Sequence, residues 1–207
     1  MIPVNILSVR YLASAADPLC RQLGAPEGYP CLGLITTDCD DATYIALDEA
    51  TKSAEVQVCY GASFYAGAAN ASTPNAGEVL GILCATTPGA VRSGMEAAVG
   101  ALGRIGFEKA GEVPYLAYTV SSCGSFLAKE ASVPEGSALA YLIAPPLESM
   151  YAMDAALKAA DVTLCKLYAP PSPTNFGGGL LTGTQSACAA ACAAFAQAVS
   201  EVAGDPK

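Results

Sequence analysis

Apolar positions alternate with polar ones at the start of the chain, and further along their spacing changes to three or four residues. Alternation is typical of strands, and the wider spacing is typical of a helix. The first long helix is predicted to begin at Asp40 or Asp41, because aspartate is favoured at helix starts, and to end at about Ser53. A second is predicted from Pro88 to about Leu102, since proline suits a first helical turn. Strands are predicted at residues 4–13, 31–37, 56–60 and 78–86.

The second half of the chain shows the same patterns in the same order. Strands are predicted at residues 114–121, 138–144, 162–168 and 179–184, and helices at residues 149–160 and 186–203. Each half therefore has the element order β-β-α-β-β-α.

Two stretches of sequence recur between the halves. Residues 46–59 (ALDEATKSAEVQVC) and 152–165 (AMDAALKAADVTLC) are identical at seven of fourteen positions with a shift of 106 residues. The tripeptide PEG at 26–28 recurs at 134–136 with a shift of 108 residues. Two matches at nearly the same shift indicate a tandem duplication.

Each repeat has the elements of a ferredoxin-like, split βαβ domain, circularly shifted by one strand. The predicted fold class is therefore α+β, with two tandem, circularly permuted domains whose helices pack on one face of a sheet. We expect the first domain to span residues 1–107 and the second residues 108–207. A trimer of such chains would display six near-equivalent domains.

The composition bears on how the surface is used. Hydrophobic residues make up 53% of the 207 residues and charged residues only 14%, which predicts that part of the surface is buried against other subunits. The net charge is −9 and the basic residues are scattered. No nucleic acid partner is therefore expected, because phosphate binding needs clustered Lys and Arg. An acidic protein is better suited to attracting small cations.

The chain is expected to be cytosolic, without a membrane partner. Its first fourteen residues lack the charged start and apolar run of a signal peptide, and the alanine-rich run at 187–199 is too short for a membrane span. Nine cysteines in such a chain predict reduced thiols. Cys188 and Cys192 are four residues apart, but the chain has no histidine and no CxxC pair, so neither a metal site nor a cofactor is expected.

The densest charge lies where a strand ends and a helix begins, at Asp38, Asp40 and Asp41. One interpretation is helix capping, since aspartate oxygens accept the free N–H groups of a first turn. A calcium loop is excluded: Asp38, Asp40 and Glu49 occupy positions 1, 3 and 12, but position 6 is Thr43 rather than glycine.

A third interpretation of this charge is a carboxylate site for an ammonium group or a similar cation. The second repeat has Pro145, Pro146 and Leu147 near the corresponding position, so the acidic residues are peculiar to one half. Helix capping and a cation site both remain open at this point.

Two long loops of small, nearly uncharged residues occupy the same place in the two repeats, at 61–77 and 169–179. They carry the aromatic residues Phe64, Tyr65 and Phe176. Flexible surface loops are the simpler interpretation, but loops of about 15 residues without their own structure are often functional.

Enzymatic chemistry is not expected. Without histidine the chain has no Ser-His or Cys-His nucleophile and no histidine acid-base step. The segment Cys123-Gly124-Ser125 contains two candidate nucleophiles, but no base is identifiable for either.

Over almost its whole length the sequence resembles the EutL family of ethanolamine-utilisation microcompartment shell proteins, which are built from tandem, circularly permuted BMC domains. The resemblance rests on the segments 32–56 (LGLITTDCDDATYIALDEATKSAEV), 65–72 (YAGAANAS), 76–83 (AGEVLGIL), 140–162 (AYLIAPPLESMYAMDAALKAADV) and 174–192 (TNFGGGLLTGTQSACAAAC).

The resemblance implies a homotrimeric, roughly hexagonal tile that packs with other shell proteins around enzymes handling a volatile aldehyde. Small amine, alcohol and aldehyde metabolites are then the expected partners, and the shell within the bacterial cytoplasm is the expected location. The resemblance also implies a small ethanolamine-binding pore in each subunit and a central pore gated by loop movement. The implied small-pore residues are Asp40, Asp41, Glu78 and Phe107, and the implied gate falls on the two small-residue loops, with Phe64, Tyr65, Phe176, Gly177 and Gly178.

The chain departs from the family pattern in one segment. Residues 120–126 read VSSCGSF where the family has a sequence like VSRTGSY, so Ser122 replaces an arginine and Phe126 a tyrosine. Two alternatives therefore stay beside the ethanolamine interpretation: a shell protein of another aldehyde-handling microcompartment, and a cytosolic small-ligand sensor on the same scaffold.

Overall fold

A computed structural model describes residues 1–64 and 77–207. They form two compact units. The N-terminal unit comprises Val4–Ile105 and Gly124–Phe126, and the C-terminal unit comprises Met1–Pro3, Gly106–Cys123 and Leu127–Lys207. The division into domains at 107/108 stays a prediction.

The N-terminal unit contains a four-stranded antiparallel sheet in the order β1-β2-β4-β3. Its elements along the chain are β1 (Ile6–Leu12), α1 (Asp17–Gln22), β2 (Cys31–Thr37), α2 (Asp40–Ser53), β3 (Gln57–Ser63), β4 (Val79–Ala85) and α3 (Pro88–Leu102).

The C-terminal unit repeats this arrangement and adds a short edge strand, giving the sheet order β5-β6-β7-β9-β8. Its elements are β5 (Glu108–Ala110), β6 (Val113–Val120), α4 (Ser125–Ala131), β7 (Ala138–Ala144), α5 (Pro146–Ala159), β8 (Val162–Tyr168), β9 (Gly177–Gly183) and α6 (Gln185–Gly204). The first two residues of α4 belong to the N-terminal unit.

The two long helices of the N-terminal unit lie close to its sheet because the central strands carry glycine where the helices pass. A Cβ atom on Gly33 would lie 2.7 Å from Val91 Cγ1, and one on Gly81 would lie 2.6 Å from Leu47 Cδ1. Larger residues at these positions would push α3 and α2 away from the core. The opposite face of the sheet packs against α1 through Cys20.

In the C-terminal unit, α5 and α6 cover one face of the sheet. Helix α6 is long and apolar enough to cross a membrane by length and composition. It is nevertheless a core helix, since Cys188, Ala191 and Phe195 are fully buried in the cluster that includes Leu142 and Leu181 of the sheet.

The duplication is confirmed by local geometry. Helices α2 and α5 both contain 14 residues and start 106 residues apart. Strands β3 and β8 each have a register shift at a cysteine, Cys59 and Cys165, which are also 106 residues apart. The repeated PEG turns both end on glycine with positive φ, 83° at Gly28 and 86° at Gly136, a conformation that glycine adopts without strain.

The α+β fold class and the repeated element order are confirmed, but some boundaries were wrong. Helix α5 begins at Pro146 rather than residue 149, because proline is accommodated in a first helical turn. Strand β9 begins at Gly177 rather than residue 179. Glycine is rare in strands, so its pairing with β7 could not be predicted from propensity. Helices α1 and α4 have 6 and 7 residues, too few to show a helical period.

Candidate functional site

Four acidic residues gather at one end of the N-terminal sheet: Asp38, Asp40, Asp41 and Glu78, hereafter the acidic cluster. The first three lie where β2 leads into α2, and Glu78 directly precedes β4. Strand β4 pairs with β2, and the backbone N–H of Glu78 donates to the Thr37 carbonyl at 2.7 Å. Strand pairing therefore brings Glu78 to the segment that carries the aspartates.

Two buried threonines fix the turn from β2 into α2. The hydroxyl oxygens of Thr37 and Thr43 lie 2.7 Å apart. Thr37 Oγ1 accepts from the N–H of Cys39 at 3.1 Å, and the Thr43 hydroxyl donates to the Cys39 carbonyl at 2.8 Å. These hydrogen bonds fix the backbone at the start of α2, where Asp40 and Asp41 lie.

Asp38 differs from the other aspartates because its carboxylate bonds to the chain before β1. It accepts from the backbone N–H of Asn5 at 2.8 Å and from the Asn5 side-chain amide at 2.7 Å. Asp38 is exposed, and its role in this contact is structural.

Binding to the free N–H groups of the first turn accounts for only part of the two remaining carboxylates: Asp40 Oδ1 accepts from the N–H of Asp41 at 2.9 Å. The N-cap residue of α2 is Cys39, and it makes no side-chain cap hydrogen bond. Asp40 and Asp41 are the first two helical residues, and both side chains are buried. The positive end of the helix dipole favours negative charge there. The corresponding first residues of α5 are Pro146 and Leu147, so only one unit has these carboxylates.

The pKa of Glu78 is raised by burial and by the neighbouring carboxylates of the acidic cluster. Burial, followed by the charges of Asp40 and Asp38, raises the pKa of the Glu78 carboxyl from an ordinary 4.5 to about 7. Burial also raises the pKa of the Cys39 thiol, and Asp41, Asp40 and Glu78 act in the same direction. Cys39 is therefore a neutral thiol, and the cluster is an electronegative site in which a further negative charge is disfavoured.

Phe107 belongs to the C-terminal unit, whereas the acidic cluster belongs to the N-terminal unit. The Phe107 ring packs edge-on against Phe176, with centroids 5.7 Å apart and an interplanar angle of 86°. The Phe107 carbonyl accepts from the N–H of Ile2 at 2.6 Å. Its contribution to an amine site stays a prediction.

The predicted gating residues lie in different surroundings. Phe64 follows β3 and donates its N–H to the Glu78 carbonyl at 2.9 Å. Tyr65 lies outside the described residues. Phe176 ends a turn in which the Ser172 hydroxyl donates to the Phe176 carbonyl at 2.6 Å. Gly177 and Gly178 were assigned to a loop, but they are buried residues of β9, because their backbones pair with β7.

The segment with the two candidate nucleophiles has a structural role. Cys123 is buried, and its thiol donates to the Pro134 carbonyl at 3.7 Å. The N–H of Gly124 donates to the Asp48 carboxylate at 2.7 Å, and the N–H of Ser125 donates to Thr51 Oγ1 at 3.2 Å. All nine cysteines are free thiols. Within residues 1–64 and 77–207, no three His, Cys, Asp or Glu side chains are grouped to hold a metal ion.

Comparison with known proteins places the chain in a family. A bacterial microcompartment shell protein EutL from Clostridium perfringens is 55% identical over 210 residues, which cover 100% of this chain and 97% of that protein. The chain belongs to the EutL family of bacterial microcompartment shell proteins. The ethanolamine utilization protein EutL from Leptotrichia buccalis superposes with a TM-score of 0.96 at 55% identity, covering 99% of this chain and 96% of that one.

The match to the BMC domain family also reflects the permutation. It covers residues 31–116, and therefore begins at the first residue of β2 and ends within β6. These limits are expected for a repeat that is circularly shifted by one strand. The matched segment omits β1 of its own repeat and ends in β6, the corresponding strand of the following repeat. The fold extends to more distant proteins: a trimeric bacterial microcompartment shell protein, PduB, superposes with a TM-score of 0.79 at 19% identity, covering 95% of this chain and 88% of that one.

Membership of the EutL family confirms three predictions. The chain is a structural shell protein and not an enzyme. Its location is the shell of a bacterial microcompartment in the cytoplasm. Shell proteins of this family form oligomeric tiles with other shell proteins.

Sequence reasoning missed several residues that position the site. Thr37 and Thr43 hold the strand-to-helix turn, and Asp48 holds the Gly124 backbone. The sequence carried no clear signal for them, because an acid such as Asp48 in the middle of an amphipathic helix is equally compatible with the solvent-exposed face.

Proposed function

We propose that this EutL-family chain forms a trimeric, pseudohexameric tile of an ethanolamine-utilisation shell and admits small amines through an acidic pore. Asp40, Asp41 and Glu78 would bind the ammonium group of ethanolamine. Phe107 is included as a further contact on the strength of the family resemblance alone. The central pore of the trimer would be gated by the loops after β3 and β8, through Phe64, Tyr65 and Phe176.

The observation that carries this proposal is the presence of buried carboxylates in one repeat only. Within the described ranges, neither Asp40 nor Glu78 forms a salt bridge with a lysine or arginine. Grouped carboxylates repel one another and lose solvation when buried. An ammonium ion offsets both costs, because it donates up to three charge-assisted hydrogen bonds.

The ethanolamine pathway is favoured over another aldehyde-handling pathway by the level of similarity. Identity to EutL proteins is 55% over the full chain, whereas identity to PduB is 19%, which supports a common fold alone. The trimer is supported by the duplication and by the low proportion of charged residues.

Replacing Asp40 and Asp41 together with asparagine should abolish ethanolamine binding, since asparagine keeps the side-chain size but removes two negative charges from the cation site. We expect at least a hundredfold loss of affinity, corresponding to about 2.7 kcal/mol, in isothermal titration calorimetry. Sedimentation should show that the variant and the wild type are both trimers.

The matched control is Glu96→Gln, which removes an exposed carboxylate from α3 in the same unit. It should bind ethanolamine as the wild type does. Undiminished binding by the Asp40 and Asp41 variant would overturn the amine site, and a monomeric wild-type protein would overturn the tile.

Ethanolamine binding should strengthen as the pH rises from 6 to 8. The pKa of Glu78 is raised to about 7, so the carboxyl is mostly neutral at pH 6 and mostly ionised at pH 8, while the ligand stays cationic. We expect affinity to increase up to about tenfold over this range. Calorimetry in buffers of different ionisation heat should also show proton release on binding near pH 7.

Glu78→Gln should remove most of this pH dependence and the proton release. The free energy of unfolding depends on pH in the opposite direction. Because the folded-state pKa of Glu78 lies above its unfolded value, the folded protein binds more protons than the unfolded chain between pH 4.5 and 7. Stability should therefore fall as the pH rises through that window. A pH dependence that persists in Glu78→Gln would assign the titration to another group.

A further inference from the structure

Two cysteine thiols are hydrogen-bonded to each other across neighbouring strands of the N-terminal sheet. Cys59 lies on β3 and Cys84 on β4, 25 residues apart along the chain. The Cys84 thiol donates to the Cys59 sulfur. The two sulfur atoms are therefore adjacent in the folded protein, although the spacing of the residues along the chain does not predict contact.

A β-bulge in β3 brings Cys59 to this position. The register of β3 against β4 shifts between Val58 and Tyr60, and Cys59 is the residue at the shift. Cys84 lies opposite Gln57, so it is a diagonal neighbour of Cys59. Diagonal neighbours on one face of a sheet are within reach of each other, and a bulge re-aims the side chain of its extra residue.

The two thiols differ in their access to solvent. Cys84 is completely buried in the apolar cluster that Cys20 of α1 also joins. Cys59 packs against the same cluster but is only half-buried. A small solute can therefore reach Cys59 from solvent, whereas Cys84 is shielded.

The contact also makes the two thiols chemically unequal. The hydrogen bond from Cys84 lowers the pKa of the Cys59 thiol and outweighs burial, which acts in the opposite direction. The same bond raises the pKa of the Cys84 thiol, as do burial and the charges of Cys59 and Cys20. Cys59 is thus the thiol that ionises first, and Cys84 retains its proton. An accessible thiolate beside a second thiol is the arrangement of redox-sensitive cysteines.

The second repeat has the same bulge but lacks the second thiol. Cys165 lies at the corresponding register shift of β8. Thr163 is opposite Thr182 there, as Gln57 is opposite Cys84 in the first repeat. Burial raises the pKa of the half-buried Cys165 thiol. The chain therefore contains a cysteine pair and a matched cysteine whose strand neighbour is a threonine.

We propose that Cys59 and Cys84 form a reversible redox site, in which a peroxide oxidises the two thiols to a disulfide between β3 and β4. The Cys59 thiolate attacks hydrogen peroxide, which gives a sulfenic acid and releases hydroxide. The Cys84 thiol then attacks the sulfenic sulfur, and the sulfenic oxygen leaves as water. In total the two thiols lose two electrons and two protons, and the peroxide is reduced to two water molecules. A small thiol reverses the reaction by exchange.

The disulfide would fasten an edge strand of the sheet. Strand β3 is the last in the order β1-β2-β4-β3, and β4 is its neighbour. A covalent bond between them opposes the separation of β3, because it restricts the unfolded chain. Cytosolic disulfides are mostly transient and redox-sensing, which agrees with a bond that forms and is reduced again. The redox site does not depend on the proposed amine site, and its test needs no ligand.

Peptide mapping of the full-length protein after treatment with hydrogen peroxide tests the redox site. The wild type should yield a disulfide between Cys59 and Cys84 that dithiothreitol reverses. Cys84→Ala should instead leave Cys59 as a sulfenic acid, which dimedone traps. The control Cys165→Ser should form the disulfide as the wild type does. A wild type in which peroxide produces no disulfide between Cys59 and Cys84 would overturn the proposal.

Alkylation rates provide a second measurement that needs no oxidant. In the reduced wild type at neutral pH, iodoacetamide should modify Cys59 at least about tenfold faster than Cys165, because the thiolate is the reactive form. Both residues are half-buried, so the comparison separates ionisation from exposure. Cys84→Ala should slow the modification of Cys59 to about the rate of Cys165, since the donor to the thiolate is removed. Equal rates at Cys59 and Cys165 in the wild type would contradict the thiol contact on which the redox site rests.

Discussion

Replacing Gly178 with alanine should destabilise the protein by at least about 4 kcal/mol, among the largest effects a single methyl group produces. Gly178 has φ of 147°, which disfavours any side chain. An added Cβ would lie 1.8 Å from the Leu142 carbonyl oxygen and 3.0 Å from Ile143 Cα. Both contacts are with backbone of the paired strand β7, so no side-chain rotation relieves them. Urea unfolding followed by circular dichroism measures the loss.

The control for this change is Gly100→Ala. Gly100 lies in α3, and a Cβ there meets no atom within 4 Å. Alanine should stabilise the helix by about 0.5 to 1 kcal/mol. An unfolding free energy of Gly178→Ala close to that of the wild type would contradict the backbone geometry of β9. A pore defect in a Gly178 variant would result from damage to the sheet and would give no information on gating. Phe176, which precedes β9, is the better position for testing loop movement.

Asp48→Ala should destabilise the protein by about 3 kcal/mol. Asp48 is fully buried in α2, and its carboxylate accepts the Gly124 N–H at 2.7 Å. Alanine would leave a buried donor without its charged acceptor, a loss of about 1.5 to 3 kcal/mol, and would open a cavity. Thermal and urea unfolding measure the effect.

Asp48→Asn retains a side-chain oxygen for the Gly124 N–H and should lose less stability than Asp48→Ala. Glu96→Ala, at an exposed position of α3, should stay within about 0.5 kcal/mol of the wild type. Equal stability of Asp48→Ala and Glu96→Ala would show that the Gly124 segment does not depend on this carboxylate.

Asp48 and its repeat counterpart Asp154 show how a duplicated sequence acquires two roles. Both residues occupy the same position of a 14-residue helix. Asp48 is buried and its carboxylate bonds to the Gly124 backbone, whereas Asp154 is exposed and forms a salt bridge with Lys158 at 2.6 Å.

Sequence alone was sufficient for the longer elements and their duplication. Periodicity depends on neighbouring residues, so α2, α3, β2 and β7 could be located without knowing what they pack against. The repeated sequence at a shift of 106 residues established two like halves before any contact was known. The concentration of negative charge at Asp40 and Asp41 could also be recognised from the sequence, because the two residues are adjacent in the chain.

Only the tertiary structure decided which of these features are buried and what they touch. Strand pairing brings Glu78 to the acidic cluster and raises its pKa to about 7. The pairing of β9 with β7 puts Gly177 and Gly178 in a strand. Asp48 of α2 is contacted by Gly124, which lies 76 residues away along the chain, whereas Leu147 and Tyr151 of the equally long helix α5 are exposed. Burial and electrostatic interactions arise from contacts between distant residues, and a local pattern carries no record of them.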